Sequence, residues 1–100
     1  MSFTLLFKPL AEAEVAEAFA WYSQPDIGMG AEFLDELERI ERFIRFNPLL
    51  YPTIDDDMRR ASLRRFPYSL FYVIDDDQVQ VLSCFHQSRD PKNRGELLGK

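Results

Sequence analysis

The sequence predicts one α+β domain over residues 1–100, in which a helical hairpin packs on a mainly antiparallel four-stranded sheet. Three observations lead to this fold class. A chain of 100 residues has room for one hydrophobic core. Its composition, 46% hydrophobic with four Gly and six Pro, excludes a disordered or fibrous protein. Helix-like periodicity lies in the first half and most strand-like segments lie in the second, which gives the order β-α-α-β-β-β.

The first half of the chain contributes one strand and two helices. The apolar run FTLLF at residues 3–7 predicts a strand, which Pro9 ends. Apolar residues then recur at spacings of three and four over residues 10–23 and again over 29–46, which predicts two helices. The predicted buried stripes are Val15, Ala18, Phe19 and Tyr22 in the first helix and Phe33, Leu37, Ile40 and Ile44 in the second.

Charged side chains are expected to cover the outer face of the second helix. Acidic residues there precede arginines by four positions, which predicts ion pairs worth roughly a few tenths of a kcal/mol each. The predicted pairs are Asp35–Arg39, Glu38–Arg42 and Glu41–Arg45.

The second half of the chain contributes three strands, at residues 58–66, 68–74 and 78–86. In the first of them, alternation places Ala61 and Leu63 on one face and Arg60, Ser62 and Arg64 on the other. The triplet Asp75–Asp77 predicts a hairpin turn between the last two strands. The polar tail over 87–100 has a predicted helical turn near 93–98. We expect one sheet face to pack on the helices and the other to be open or partly covered, since an open sheet face of a small domain is often a binding surface.

Several classes of protein are excluded by simple counts. The longest apolar runs are four or five residues, so the sequence predicts no transmembrane helix. The N-terminus lacks the pattern of a signal peptide, and we interpret it as mature sequence. The single cysteine, Cys84, cannot form a disulfide within the chain, which predicts a protein of the reducing cytoplasm. Its position within a predicted strand makes it a predicted core residue. One Cys and one His provide no metal cluster, and we expect no cofactor.

The charge is polarised along the chain although the net charge is −5. Residues 1–57 carry a balance of −8 and residues 58–100 a balance of +3. Four arginines lie within seven residues, and they predict either a contact with an anionic partner or pairing with the acidic helices and Asp55–Asp57. Composition alone favours internal pairing. The four are Arg59, Arg60, Arg64 and Arg65.

Three sets of side chains are candidates for chemistry. Arg60 and Arg64 can bind phosphate groups from one strand face. His86, with Arg89 three residues later, can serve as a general base beside a cation that stabilises a phosphorane, or it can be a structural strand-end histidine. Tyr68 and Tyr72 share a strand face and can stack on bases, although such aromatics are more often half-buried sheet residues.

The order and spacing of several short segments make the chain similar to the RelE/ParE toxin superfamily over residues 3–91. In the second half these segments are LRRFPYSLFY at 63–72, Val81-Leu82, and FHQSRDP at 85–91, and only their combination is specific. Upstream, FAWY at 19–22, GMGAEFL at 28–34 and NPLLYP at 47–52 follow the same pattern.

This resemblance implies a toxin of a type II toxin–antitoxin pair, often called a plasmid stabilisation protein, that a small antitoxin neutralises. One branch of the superfamily cleaves mRNA in the ribosome, and the ParE branch poisons DNA gyrase. An RNA-cleaving toxin would use His86 as base with Arg64 and Arg89 as phosphate ligands. A toxin that only binds its target would contact it through a surface set consisting of Arg60, Arg64, Arg65, Tyr68 and Tyr72.

Three departures from the RNA-cleaving branch favour the ParE branch. Ser69 stands where the RNA-cleaving branch commonly has an arginine, and residues 87–100 contain no tyrosine. The isoelectric point is about 4.8, whereas ribosome-targeting members are usually basic. The sequence therefore favours a ParE-like binding toxin. The alternatives are a ribosome-dependent endoribonuclease and an inactive member that only binds its antitoxin.

Overall fold

The structure is a computed structural model that describes residues 3–87. This part of the chain forms two helices and five strands. The strands are β1 (Thr4–Phe7), β2 (Thr53–Asp55), β3 (Met58–Ser62), β4 (Tyr68–Asp75) and β5 (Gln78–His86). The helices are α1 (Pro9–Tyr22) and α2 (Gly30–Phe46), and a 3-10 turn follows at Pro48–Leu50. The predicted α+β class and the block of two helices before the sheet are confirmed. The predicted tail helix at 93–98 lies outside the described residues.

The sheet has the strand order β1-β5-β4-β3-β2. β1 runs parallel to β5, with Thr4 opposite Gln78, and every other neighbouring pair is antiparallel. The sheet therefore has five strands where the sequence predicted four. The additional strand, β2, has three residues, which is too short to show an alternating pattern. A tight turn that contains Asp56 connects β2 to β3. The φ of Asp56 is 49°, in the left-handed region that Asp tolerates better than most residues.

The predicted strand at 58–66 ends early, at Ser62. Residues 63–67 instead connect β3 to β4, and the Leu63 amide closes this connection by donating to the Tyr68 carbonyl at 2.9 Å. Leu63 and Phe66 are buried, so the connection is anchored in the core. The predicted alternation is confirmed, because Ala61 and Leu63 are buried while Arg60, Ser62 and Arg64 are exposed.

The main core lies between the helices and one face of the sheet. All four predicted residues of the α2 stripe are buried there. In α1 the buried residues are Ala11, Ala18 and Tyr22, whereas Phe19 is 37% exposed, which corrects its predicted place in the core. Small alanine side chains on the buried face let a helix lie close to the sheet, so the larger Phe19 remains at the edge of the interface.

A polar contact also fixes α1 on the sheet. The Glu14 carboxylate accepts hydrogen bonds from the Ser83 hydroxyl at 2.6 Å and from the Cys84 amide at 3.0 Å. The register of β5 against β4 shifts at this point, between Phe71 and Tyr72. A register shift removes backbone groups from the ladder, and Glu14 provides an acceptor for one of them.

Cys84 is buried in the core, as predicted from its position in a strand. Burial, with a smaller contribution from the nearby Glu14 carboxylate, raises the pKa of its thiol to about 12. We therefore expect a thiol-alkylating reagent at pH 8 to modify the folded protein far more slowly than the urea-unfolded protein, because the thiolate is the reactive form. Mass spectrometry over a time course measures both rates, and equal rates would contradict this burial.

The opposite face of the sheet also carries apolar side chains. Met58, Phe71 and Phe85 form a second, smaller cluster against Ile54, Val73 and Leu82. As predicted, only one face of the sheet packs on the helices. The opposite face is nevertheless partly apolar because of this second cluster. Within residues 3–87, neither helix has the length and apolar character that a membrane span requires.

Candidate functional site

Glu36 organises the charged residues near the end of α2. Its side chain is buried, and its carboxylate accepts two hydrogen bonds from the Arg39 guanidinium, at 2.8 and 3.3 Å, and a third from the Arg64 backbone amide at 2.7 Å. Arg39 therefore pairs with Glu36 and not with Asp35 as predicted. A rule based on spacing alone misses this because the Arg64 amide, 28 residues away, makes position 36 the favourable place for a carboxylate.

The Glu36 contacts make stability depend on pH. The hydrogen bond from Arg39 lowers the pKa of Glu36, and the Arg64 amide acts in the same direction against the cost of burial. A carboxyl group with a lowered folded-state pKa stabilises the protein above its unfolded pKa of about 4.3, and that stabilisation is lost as the pH falls further. We expect the free energy of unfolding of wild type to exceed that of Glu36→Gln at pH 7, with the difference shrinking below about pH 4.

Urea titrations at several pH values measure this difference. The Arg39→Gln variant serves as a matched control. It keeps the Glu36 carboxylate but removes the guanidinium whose hydrogen bond is the largest cause of the lowered Glu36 pKa. A difference between wild type and Glu36→Gln that stays constant from pH 7 to pH 3 would contradict the assignment.

Three arginines and two phenylalanines form a pocket beside Glu36, which we call the arginine–phenylalanine pocket. Its lining is Arg39, Arg42, Phe43, Phe46 and Arg64. The Arg39 guanidinium lies 5.5 Å from the centre of the Phe43 ring, a cation–π contact. The predicted Glu41–Arg45 ion pair is present at 3.6 Å. No ion pair joins Glu38 to Arg42 in the described part of the chain, so that predicted pair is absent and Arg42 lines the pocket.

His86 lies in a different pocket, at the end of α1. This His86 pocket, of about 580 Å³, is lined by Glu17, Trp21, Tyr22, Pro67, Tyr68 and His86. Tyr68 and His86 are directly opposite each other on β4 and β5, and their rings meet edge to face with centroids 5.0 Å apart. Both side chains are half-buried. The pocket is therefore mostly aromatic, with one carboxylate among its lining residues.

The structure distributes the predicted site residues over separate surfaces. Arg64 lines the arginine–phenylalanine pocket, and Arg60 is exposed on β3. The Arg65 guanidinium lies 5.8 Å from the centre of the Phe66 ring. Arg89 lies outside the described residues. Arg64 and His86, the predicted phosphate ligand and base, thus line two different pockets.

Tyr72 has a structural place that the sequence did not indicate. It is fully buried, and its hydroxyl donates a 2.6 Å hydrogen bond to the Pro48 carbonyl. Burial raises the pKa of Tyr72 to about 12. Tyr68 and Tyr72 do share a face as predicted, but this face packs under the helices and only Tyr68, at the end of the strand, reaches a pocket. This corrects the expectation that Tyr72 contacts a target.

Ser69 lies within a neutral hydrogen-bonded group on the other sheet face. It is buried, and its Oγ is 2.9 Å from Ser62 Oγ and 3.4 Å from Gln87 Nε2. These three side chains carry no formal charge. The position is therefore occupied by a group that satisfies its neighbours and provides no cation.

An apolar groove lies on the flank of α2 opposite the arginine–phenylalanine pocket, between α1, α2 and β1. We call it the α1–α2 groove, and its volume is about 610 Å³. Sequence reasoning did not locate this groove, because it assigned Phe19 to the core and Leu34 to no surface. Apolar residues outside the buried stripe, such as Leu6 and Leu34, were the signal that could have revealed it. The lining is Leu5, Leu6, Phe7, Glu12, Val15, Ala16, Phe19, Leu34, Leu37 and Glu41.

Comparisons with known proteins identify one family from the sequence and a shared fold from solved structures. Residues 5–91 match the family described as ParE toxin of type II toxin–antitoxin system, parDE. No curated protein sequence matches the chain. Among solved structures, the fold is similar to the chromosomal ParDE system from P. aeruginosa, with a TM-score of 0.62 and 18% identity over 85% of this chain and 96% of that one. It is also similar to the RelBE2 toxin–antitoxin complex from Mycobacterium tuberculosis, with a TM-score of 0.60 and 20% identity over 86% of this chain and 99% of that one.

Proposed function

This chain belongs to the family of ParE toxins of type II toxin–antitoxin systems, and from that membership we propose that it stops growth by holding a target and is neutralised by a cognate antitoxin. The proposed target is DNA gyrase, as in the ParE branch. In this proposal the toxin carries out no covalent chemistry. Its action depends on surface contacts made by the arginines at the β3–β4 connection and by the half-buried Tyr68.

The observation that carries the proposal is the separation of the groups that RNA cleavage would need together. General acid–base cleavage requires a base within hydrogen-bond reach of the reacting hydroxyl and a cation near the developing phosphorane charge. His86 shares its pocket with aromatic rings and Glu17, while Arg64 lines another pocket. Ser69 supplies no cation either. This arrangement supports binding over cleavage.

The second candidate function is ribosome-dependent RNA cleavage, with His86 as base and Arg64 and Arg89 as phosphate ligands. One observation favours it: the His86–Tyr68 pair lies at the edge of a pocket that has the volume of a small-molecule site. An aromatic ring beside a histidine is suited to stacking on an unpaired base.

Controlled expression with and without the antitoxin tests the choice between these functions. We expect the toxin alone to induce the DNA damage response and to form a gyrase complex that can be isolated, and co-expressed antitoxin should suppress both. Loss of ribosome-bound mRNA while DNA replication continues would overturn the gyrase proposal in favour of cleavage. Expression without any effect on growth would support an inactive member.

We propose that part of the antitoxin covers the α1–α2 groove. Phe19, Leu34 and Leu6 are partly exposed there, and covering them removes apolar surface from water. Burial raises the pKa of Glu41 in the groove wall even though Arg45 lies 3.6 Å away, which indicates a poorly hydrated environment. An apolar segment of the antitoxin fits such a surface.

A ligand that binds only the folded toxin stabilises it by mass action, so we expect the toxin–antitoxin complex to melt well above the free toxin. The Leu34→Asp variant should fold but lose most of this gain, because a carboxylate would then lie in the apolar groove. Thermal melts of each protein with and without antitoxin measure the effect. Equal melting temperatures for free and mixed wild type would contradict antitoxin binding to the folded toxin, and a full gain for Leu34→Asp would place the antitoxin on another surface.

A further inference from the structure

The end of α2 and the following 3-10 turn expose large apolar side chains in succession. The exposed fraction is 81% for Phe46, 64% for Leu49 and 58% for Leu50, and Phe43 is exposed as well. Single exposed apolar residues are ordinary, but several together mark interaction surfaces. We call this surface, together with the adjoining arginine–phenylalanine pocket, the α2-end patch.

Hydrogen bonds from side chains of the sheet fix the backbone around these two leucines. Arg59 Nη1 donates to the Tyr51 carbonyl at 2.6 Å and lies 3.5 Å from the Leu49 carbonyl. The buried Tyr72 hydroxyl donates to the Pro48 carbonyl. Because the segment is tied to the sheet on both sides of Leu49 and Leu50, it is a preformed surface, and binding to it requires little ordering.

The charge around the α2-end patch is positive. Arg39, Arg42 and Arg64 line its pocket, and no carboxylate of residues 3–87 lines it with them. Glu36 compensates the charge of Arg39. The guanidinium groups of Arg42 and Arg64 have no ion-pair partner in the part of the chain that the structure describes. A bound partner whose carboxylates pair with these two arginines would therefore bind more tightly than one without them.

We infer that the α2-end patch is a docking surface for an acidic amphipathic helix of a protein partner, one whose carboxylates flank a stripe of large apolar side chains. Apolar residues of that helix would cover Phe43, Phe46 and Leu49, and its carboxylates would pair with Arg42 and Arg64. The inference goes beyond the proposed function, since it concerns the opposite flank of α2 from the α1–α2 groove. The two surfaces select different segments, because Glu12 and Glu41 line the groove and arginines line the patch.

Two properties of the surface favour a protein over a nucleic acid. Two of the four exposed apolar side chains in the patch, Leu49 and Leu50, are aliphatic and cannot stack on bases as Phe43 and Phe46 could. The patch also belongs largely to the half of the chain, residues 1–57, whose charge balance is −8, which repels a polyanion as a whole. A short acidic helix needs only the local positive charge.

A binding experiment with purified full-length protein tests the inference. The probe is a fluorescein-labelled synthetic helical peptide of about 15 residues made of Leu, Phe and Glu, with the same peptide carrying Lys in place of Glu as its counterpart. We expect the Glu peptide to bind and the Lys peptide to bind at least about tenfold more weakly. Arg42→Glu and Phe46→Ser should each weaken binding of the Glu peptide by about tenfold.

Arg45→Gln is the matched control, because Arg45 lies on the same helix outside the patch and should leave binding of the Glu peptide within about twofold. Circular dichroism melts establish that every variant folds. The inference is overturned if the Glu peptide does not bind, if the Lys peptide binds as well, or if Arg42→Glu and Phe46→Ser behave like Arg45→Gln. Tighter binding of an oligouridine RNA at the same arginine would also overturn it, as would self-association through Phe46 detected by sedimentation.

Discussion

Replacing Leu37 with Asp is expected to unfold the domain. Leu37 is 4% exposed at the centre of the α2 stripe, between the helices and the sheet. An aspartate there would be buried without a partner or would force the helix away from the core. Either outcome costs several kcal/mol, against a total unfolding free energy of about 5–15 kcal/mol for an ordinary domain.

Leu34→Asp is the matched control for this prediction. It places the same carboxylate one helical turn earlier, at a position that is 37% exposed in the groove wall. We expect urea titration to show a cooperative transition for Leu34→Asp and little or no folded baseline for Leu37→Asp. A Leu37→Asp protein that melts cooperatively with the wild-type midpoint would show that this face of α2 is not the buried one.

The second large effect concerns toxicity and separates binding from catalysis. If the toxin cleaves RNA, His86→Ala should reduce cleavage on the order of a hundredfold or more, since it removes the base. If the toxin acts by holding its target, His86→Ala should cause only a modest loss. Charge reversal at Arg64 should then cause the larger loss, because an exposed guanidinium that attracts an anionic contact on the target would be replaced by a carboxylate that repels it.

We expect the second pattern. The measurement is a growth assay of His86→Ala and Arg64→Glu under the same inducible promoter, with folding checked by circular dichroism. Both variants should fold: His86 is half-buried, and Arg64 is bound to Glu36 by its backbone amide, which the substitution keeps. A folded His86→Ala protein without toxicity, together with ribosome-dependent RNA cleavage by the parent protein, would reverse the ranking of the two functions.

Hydrophobic periodicity in the sequence predicted the elements in which the same spacing of buried residues recurs several times. The stripe of α2 and the β4–β5 hairpin are examples, because each has enough turns or alternations to define a buried face. The prediction was wrong for Phe19, where the alanines of α1 decide which side of the helix approaches the sheet. It also missed β2, whose three residues have too few alternations to be recognised.

The site was predicted less well than the fold, and the reason is tertiary contact. Only the RNA-cleaving alternative required Arg64 and His86 to act together, and which pocket each one lines depends on how the β3–β4 connection docks on Glu36. Tyr72 was correctly placed beside Tyr68 on one face, yet only the packing of the Pro48 segment reveals that its hydroxyl is buried. No spacing rule within the sequence carries such information.

The pairing of β1 with β5 has a consequence for synthesis. β1 is synthesised before the other four strands, yet it pairs with the last of them. Thr4 lies opposite Gln78 and Phe7 lies opposite Val81, near the other end of the described residues. A nascent chain therefore emerges with the apolar residues of β1 uncovered, and the sheet closes only when β5 has left the ribosome. Contacts between distant parts of a chain form late and slowly. A toxin built in this way cannot complete its sheet until β5 has been synthesised, which gives the cell an interval in which an antitoxin can be present before the toxin is folded.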